Sequence, residues 1–176
     1  MYFYIIIRWM IIYIIQLIHL ILSSYLDLII SMIECIQKCN IKPTLAVDAL
    51  TAKHYPYLMD YCLKQDCEFI AHGISVSQMI TSNMSADEEL AYIHESMSSI
   101  KKVTGTDPLG WFGPEYGESE RTPQLLAKSN IRYVCDWAND EQPYPLKSPE
   151  GNLTALPVMI ELDDVIAMAH RRVNVD

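Results

Sequence analysis

A histidine, a tryptophan, a tyrosine and several carboxylates punctuate this chain where hydrolytic chemistry could be assembled. His72 offers an imidazole that can bind a metal ion through one nitrogen or exchange a proton near neutral pH. Hydrolysing an amide needs a base to activate water, donors or positive charge for the developing oxyanion, and an acid for the leaving nitrogen. Asp136, Asp140, Glu141 or Glu115 could supply the base. Tyr116 and Trp137 could wall a substrate pocket, and Asp48 could hold a polar group of the substrate. Each has a quieter role open to it. Asp136 and Asp140 suit the caps of turns, Glu115 a solvated loop, Trp137 a core, and His72 the end of a strand.

Whether these residues meet depends on the elements that carry them. Cys67 to Gly73 is a short apolar run bounded by polar residues, which predicts a buried parallel strand ending in His72. Gly73, lacking Cβ, would let the chain turn sharply and leave space beside the ring for a ligand. Lys42 to Val47 reads as another buried strand with Asp48 at its carboxyl end, and Pro56 opens a helix through about Lys64. Ser85 and Glu88 form a capping box, after which Leu90, Ile93, Met97 and Ile100 make one apolar stripe up to Gly105. A strand over Leu109 to Phe112 follows, then the loop Gly113 to Gly117, then a helix capped by Thr122 with Pro123 at its first position. Ile131 to Cys135 is a strand that runs directly into Asp136 and Trp137. Ala155 to Leu162 is the last, with Asp163 and Asp164 at its end. Upstream, Leu26, Ile29, Ile30, Ile33 and Ile36 recur at helical spacing over Tyr25 to Cys39, and Asn40 closes that helix. Strands alternating with helices through connections too long for hairpins predict an α/β fold. Its parallel sheet has right-handed crossovers and is open or closed into a barrel, with the polar residues at the carboxyl ends of the strands.

The chain has 176 residues, enough for about one domain with a sizeable core. Acidic residues outnumber basic ones 22 to 13, for a net charge of −9, which argues against nucleic acid or an anionic membrane surface as partner. The five cysteines, Cys35, Cys39, Cys62, Cys67 and Cys135, form no CxxC pair and lack zinc-site spacing, so they read as reduced thiols in a reducing, cytoplasmic compartment. Met1 to Leu22 stands apart. It is almost wholly apolar, interrupted by Arg8, Gln16 and His19, and is long enough to span a bilayer as a helix. Arg8 and His19 lie inside the run and no cleavage site follows. The alternatives are therefore a membrane anchor, an uncleaved signal, or a start that is not native to the domain. The expected organisation is an apolar segment over residues 1–24 and one domain over residues 25–176.

Three motifs carry a resemblance. A strand ends in His72-Gly73. Gly-Trp-Phe-Gly-Pro-Glu-Tyr-Gly over residues 110–117 precedes Arg-Thr-Pro-x-Leu-Leu-Ala at 121–127. Tyr-Val-Cys-Asp-Trp-x-Asn-Asp-Glu-Gln-Pro-Tyr occupies 133–144. In this order they resemble the polysaccharide deacetylase (NodB homology) superfamily over residues 25 to 170, and within it the branch that includes the cofactor-independent allantoinases. The resemblance implies a distorted (β/α) barrel, here incomplete and preceded by an apolar N-terminal helix. It also implies hydrolysis of carbon–nitrogen bonds other than peptide bonds in a small amide or amino-sugar substrate. His72 falls on the first histidine of the family's His-x-x-x-His metal motif, which implies a divalent ion such as zinc. Pro114, Tyr116 and Gly117 fall on its Arg-Pro-Pro-Tyr-Gly loop, and Asp136 and Trp137 on its Asp-Trp segment.

The departures carry equal weight. Val76 stands where the second metal histidine would be, and one imidazole makes a poor zinc site. Gly113 replaces the loop arginine, for which Arg121 is the candidate substitute in substrate binding. No counterpart of the family's aspartate pair precedes Lys42, since Asp27 is alone in an apolar helix, and His170 sits in a basic tail that does not match the family's late histidine. These gaps predict the middle of a larger barrel, with exposed edges that invite pairing with another chain and little activity on its own. A non-catalytic binding or interaction remnant of the same fold, held at a membrane by residues 1–22, is the alternative.

Overall fold

The computed structural model describes residues 22–159. The apolar segment before them, the end of the strand expected to reach Leu162, Asp163, Asp164 and His170 lie outside the described residues.

The first helix, α1 (Leu22–Lys38), buries Ile29 and Ile33 and ends where Asn40 turns into the left-handed region at φ 55. Strand β1 (Thr44–Val47) is buried at every position, as a strand covered on both faces must be. Asp48 then caps a short helix, α2 (Ala49–His54), which the sequence reading passed over. Pro56 opens α3 (Pro56–Lys64), where its missing N–H costs nothing. Strand β2 (Glu68–Ala71) leads to His72. Helix α4 (Ala86–Thr104) has the expected reciprocal Ser85–Glu88 capping box and stops at Gly105, whose φ of 77 suits a residue without Cβ.

Beyond it come β3 (Gly110–Trp111), a 3₁₀ turn over Pro114–Tyr116, α5 (Thr122–Lys128), β4 (Tyr133–Val134), β5 (Tyr144–Leu146) and β6 (Leu153–Ala155). Thr122 is not the cap of α5. Its hydroxyl accepts from Ser119 N at 2.7 Å and donates to Glu89, and Arg121 holds the cap position without a side-chain hydrogen bond. The last described strand starts at Leu153, two residues before the expected Ala155, and ends at Ala155. Pro157, which has no N–H to give a ladder, follows closely.

The strands form one sheet in the order β1-β2-β3-β4-β6-β5. All neighbouring pairs are parallel except β5 with β6, so the sheet is mixed rather than wholly parallel. Pro145 is tolerated in β5 because that strand is an edge. Alternation along the strands sorts the core into two layers. Leu45, Val47, Phe69, Ala71 and Trp111 meet the helices, including Ile93 and Ile100 of α4 and Leu126 of α5. Ala46, Ile70, Phe112 and Cys135 face the other way, with Tyr116, Tyr133, Leu156 and Val158 packed against them.

On that second face Tyr133 reaches across β3 to donate to Glu68 Oε1 at 2.7 Å, and Thr44 donates to Glu68 Oε2 at 3.0 Å. Gly110 makes the crossing possible, since a Cβ there would stand 2.4 Å from the tyrosine ring. Among the described residues the sheet is open and does not close into a barrel. No described helix is long and apolar enough to cross a membrane.

Candidate functional site

The ladder register aligns the carboxyl ends of the central strands. Val47 pairs with Ala71, Ala71 with Trp111 and Trp111 with Val134, so the next residues of each strand emerge side by side. The ladder also runs one bond further, from His72 N to Val47 O, Phe112 N to Ala71 O and Cys135 N to Trp111 O. His72, the Gly113 loop and Asp136 therefore share one end of the sheet, as the strand pattern predicted.

His72 is buried, with its ring 5.3 Å from that of Phe112. Its Nδ1–H donates to the Phe112 carbonyl, which puts the neutral ring's lone pair on Nε2. Gly73 does not leave open space beside the ring. An added Cβ would meet Tyr92 Oη at 2.2 Å and Pro114 Cγ at 2.8 Å, so the missing side chain is filled by its neighbours, and a φ of 71 makes the same demand.

Asp136 ties two strand ends together, with its Oδ1 and Oδ2 accepting from Gly113 N at 2.8 and 3.0 Å. The loop that Gly113 begins carries two successive non-glycine residues in the left-handed region, Glu115 at φ 52 and Tyr116 at φ 56. Such backbone costs roughly 1–3 kcal/mol per residue and collects where function over-determines the structure. Glu115 is exposed at the tip of the loop, while the Tyr116 ring packs edge-on against Phe112 at 5.4 Å.

The same loop ends in a residue that sequence reasoning missed, Glu118. Its Oε2 accepts from Trp137 Nε1 at 2.9 Å, and its Oε1 is buried with no hydrogen bond of ordinary geometry to a described residue. Burial is the main reason its carboxyl is pushed up to about 7. Asp136 and Trp137 pull it back down and the charge of Glu89 adds to the rise. In sequence nothing separates Glu118 from its solvated neighbour Glu120, because both stand in one polar run. The difference is made by Trp137, which follows Asp136 just beyond β4 and donates to Glu118 with about a third of its surface exposed.

The remaining candidates are spread more widely. Asp140 accepts from the backbone N of Glu141 at 2.7 Å, and both residues are exposed in the turn before β5. No hydrogen bond among the described residues links them to His72, Asp136 or Glu118. Asp48, expected to bind substrate, is buried and committed to α2, accepting from Thr51 N at 3.0 Å and Thr51 Oγ1 at 2.6 Å. Burial raises its pKa and those two bonds oppose the rise.

Arg121 is likewise not turned to the loop it was expected to serve. Its Nη2 donates to Met84 O at 2.6 Å and to Glu89 Oε2 at 3.3 Å, because the fully buried carboxylate of Glu89 on α4 needs a partner. Ser119 and Thr122 complete the coordination of that carboxylate.

The donor set among the described residues does not fit a divalent metal ion. Val76 stands at the second histidine position, and no three His, Cys, Asp or Glu side chains among the described residues group closely enough to hold an ion. The described residues line hollows elsewhere. One, of about 540 Å³, opens at the amino ends of the strands between Lys42, Cys67, Glu68 and Leu109. Another, of about 590 Å³, runs along α4 beside Met79, Met84 and Tyr92. Neither is lined by His72, Asp136 or Glu118.

Comparison with known proteins identifies the family. The polysaccharide deacetylase family model matches residues 27–134, and the chain belongs to that family. It is similar to a solved structure from Mycobacterium smegmatis assigned as a polysaccharide deacetylase, at 25% identity and a TM-score of 0.70 over 76% of this chain and 46% of that one. It shares its fold with PuuE allantoinase, at 21% identity and a TM-score of 0.67 over 76% of this chain and 44% of that one. It also shares it with a CE4-family pseudoenzyme from Bacillus anthracis, at 13% identity and 0.58 over 74% and 41%. The chain thus spans less than half the length of these structures. No curated protein matches the sequence.

Proposed function

We propose that this chain carries part of the active face of a hydrolase of non-peptide carbon–nitrogen bonds, acting on a small amide, a ureide or an amino-sugar amide. The observation that carries the reading is Glu118, a carboxyl at the strand-end face whose burial pushes its pKa up to about 7, beside Trp137 and Asp136. Two acids in unlike surroundings are the usual means of running acid and base chemistry together at neutral pH.

In this reading Asp136, held as an acceptor by Gly113 N–H, takes a proton from water as it attacks the carbonyl carbon. Glu118, still holding its proton, gives it to the leaving nitrogen as the carbon–nitrogen bond breaks. The exposed face of Trp137 and the loop carrying Glu115 and Tyr116 border the substrate. His72 sets the height of the loop through its bond to the Phe112 carbonyl. No step is routed through a metal ion.

Val76 supports a second reading, a non-catalytic binding module of the same fold, because it removes the imidazole that the family motif pairs with His72. One experiment separates the two. The purified chain, Glu118→Gln and Asp136→Asn are assayed with allantoin and with N-acetylated amino-sugar oligomers, and binding is measured by calorimetry in parallel. Slow hydrolysis that falls at least tenfold in both variants, with binding retained, is the expected result. Hydrolysis indifferent to both substitutions would overturn the assignment, and binding without any turnover would establish the second reading.

A further inference from the structure

Helix α3 ends in a hydrogen-bonded turn whose two wrapping side chains are both cysteines. Asp66 lies in the left-handed region at φ 54, Asp66 N donates to Leu63 O at 3.0 Å, and Cys67 N donates to Cys62 O at 3.1 Å. This pairing of bonds is the Schellman motif, in which the side chains at the two ends of the longer bond commonly pack together as an apolar contact. Here the contact is thiol against thiol, and both residues are buried. The N–H···O bond keeps their α-carbons no more than ~7 Å apart, close to the ~4.4–6.8 Å that disulfides span.

Cys67 also lines the 540 Å³ hollow at the amino ends of the strands, next to Lys42 and Glu68, which gives a small solute a way towards it that Cys62 lacks. The hydrogen bond from the Cys62 thiol lowers the Cys67 pKa and raises that of Cys62; burial and the Asp66 charge oppose the lowering at Cys67 and the Lys42 charge supports it. Cys67 is thus the attacking thiol and Cys62 the resolving one.

The geometry points to a modification site: Cys62 and Cys67 are a dithiol that a peroxide converts into a disulfide joining the end of α3 to the start of β2. The Cys67 thiolate attacks one peroxide oxygen, the S–O bond forms as the O–O bond breaks, and the departing oxygen is protonated to water. The Cys62 sulfur then attacks the sulfenic sulfur of Cys67. The S–S bond forms as the S–O bond breaks, and the hydroxide released takes the Cys62 proton and leaves as a second water. Two thiols lose two electrons, and hydrogen peroxide accepts them.

The full chain, treated with hydrogen peroxide, unfolded, alkylated and digested with trypsin, provides the test. Cleavage at Lys64 separates the two cysteines, so the disulfide appears as a cross-link between the peptides spanning 54–64 and 65–101. That cross-link, reversed by dithiothreitol, is the expected result. In Cys62→Ser the Cys67 sulfenic acid should instead be trapped by dimedone. Full alkylation of Cys62 and Cys67 in the wild-type chain under conditions that oxidise the exposed Cys35 and Cys39 would overturn the proposal, and that measurement needs no variant to fold.

Discussion

Replacing Glu118 by glutamine should change how stability depends on pH, and the sign and size follow from its surroundings. The carboxyl is raised from an ordinary 4.5 to about 7, mainly by burial. A group whose folded pKa lies above its unfolded one holds a proton that the unfolded chain would release. Its favourable contribution is complete below pH 4.5 and is lost as pH rises through 7. At ~1.4 kcal/mol for each pH unit of that gap the loss is ~3 kcal/mol, and partial access of water reduces it to ~2–3 kcal/mol. Glutamine keeps the shape and still offers Trp137 Nε1 an acceptor, but it has no charge to bury. Asp136 and Glu89 are the ionisable neighbours of this group, and both stay in the variant. Urea unfolding of both proteins at pH 4.5, 5.5, 6.5 and 8 measures the difference, since titrating groups that do not touch Glu118 cancel. The variant should gain ~2–3 kcal/mol on the wild type across that range. A difference flat to within ~0.5 kcal/mol would refute both the raised pKa and the acid role built on it.

Gly73→Ala should destabilise the chain by ~3 kcal/mol, combining a left-handed backbone with overpacking against Tyr92 and Pro114, and denaturant titration checks it. A loss under ~1 kcal/mol would mean that the Pro114 loop moves aside easily. Glu89→Ala should cost ~2–4 kcal/mol, because it leaves the buried Ser119 and Thr122 hydroxyls without their acceptor, whereas Arg121 is partly exposed and keeps its bond to Met84 O. Equal losses in Glu89→Ala and Glu89→Ala/Arg121→Met would confirm that the hydroxyls, not the arginine, set the cost.

Much of this fold could be read from the chain because its signals are local. Pro56, the Ser85–Glu88 box and Gly105 mark their boundaries by chemistry acting within one turn, and all stand where expected. Elements that depend on distant partners were harder to see. Strand β5 pairs antiparallel with a segment about ten residues on, and nothing in Tyr144-Pro145-Leu146 announces an edge strand. The site divides in the same way. His72 and Asp136 end apolar runs, so their placement followed from strand register. Arg121 and Asp48 looked available because their partners, Glu89 and Thr51, cannot be recognised as partners without the packing. Glu89 did leave a trace. It stands four residues before Ile93 and so falls on the buried face of α4, where an acid demands compensation.

One departure bears on the acids of this face. The family resemblance places an arginine where Gly113 stands, so the loop over residues 113–117 brings no cation to Asp136 and Glu118. Neighbouring carboxyls without a cation are neutralised more cheaply by a proton than by desolvated charge. Glu118 has that response, and Gly113 supplies its backbone N–H to Asp136 where an arginine would have offered a side chain. An added side chain at Gly113 would begin 3.0 Å from Asp136 Oδ2 and 3.0 Å from the Gly117 carbonyl oxygen. The loop has closed onto the glycine. A side chain there would require these oxygens to give way by a few tenths of an ångström, so the tight fit at Gly113 and the placing of Asp136 beside Glu118 go together.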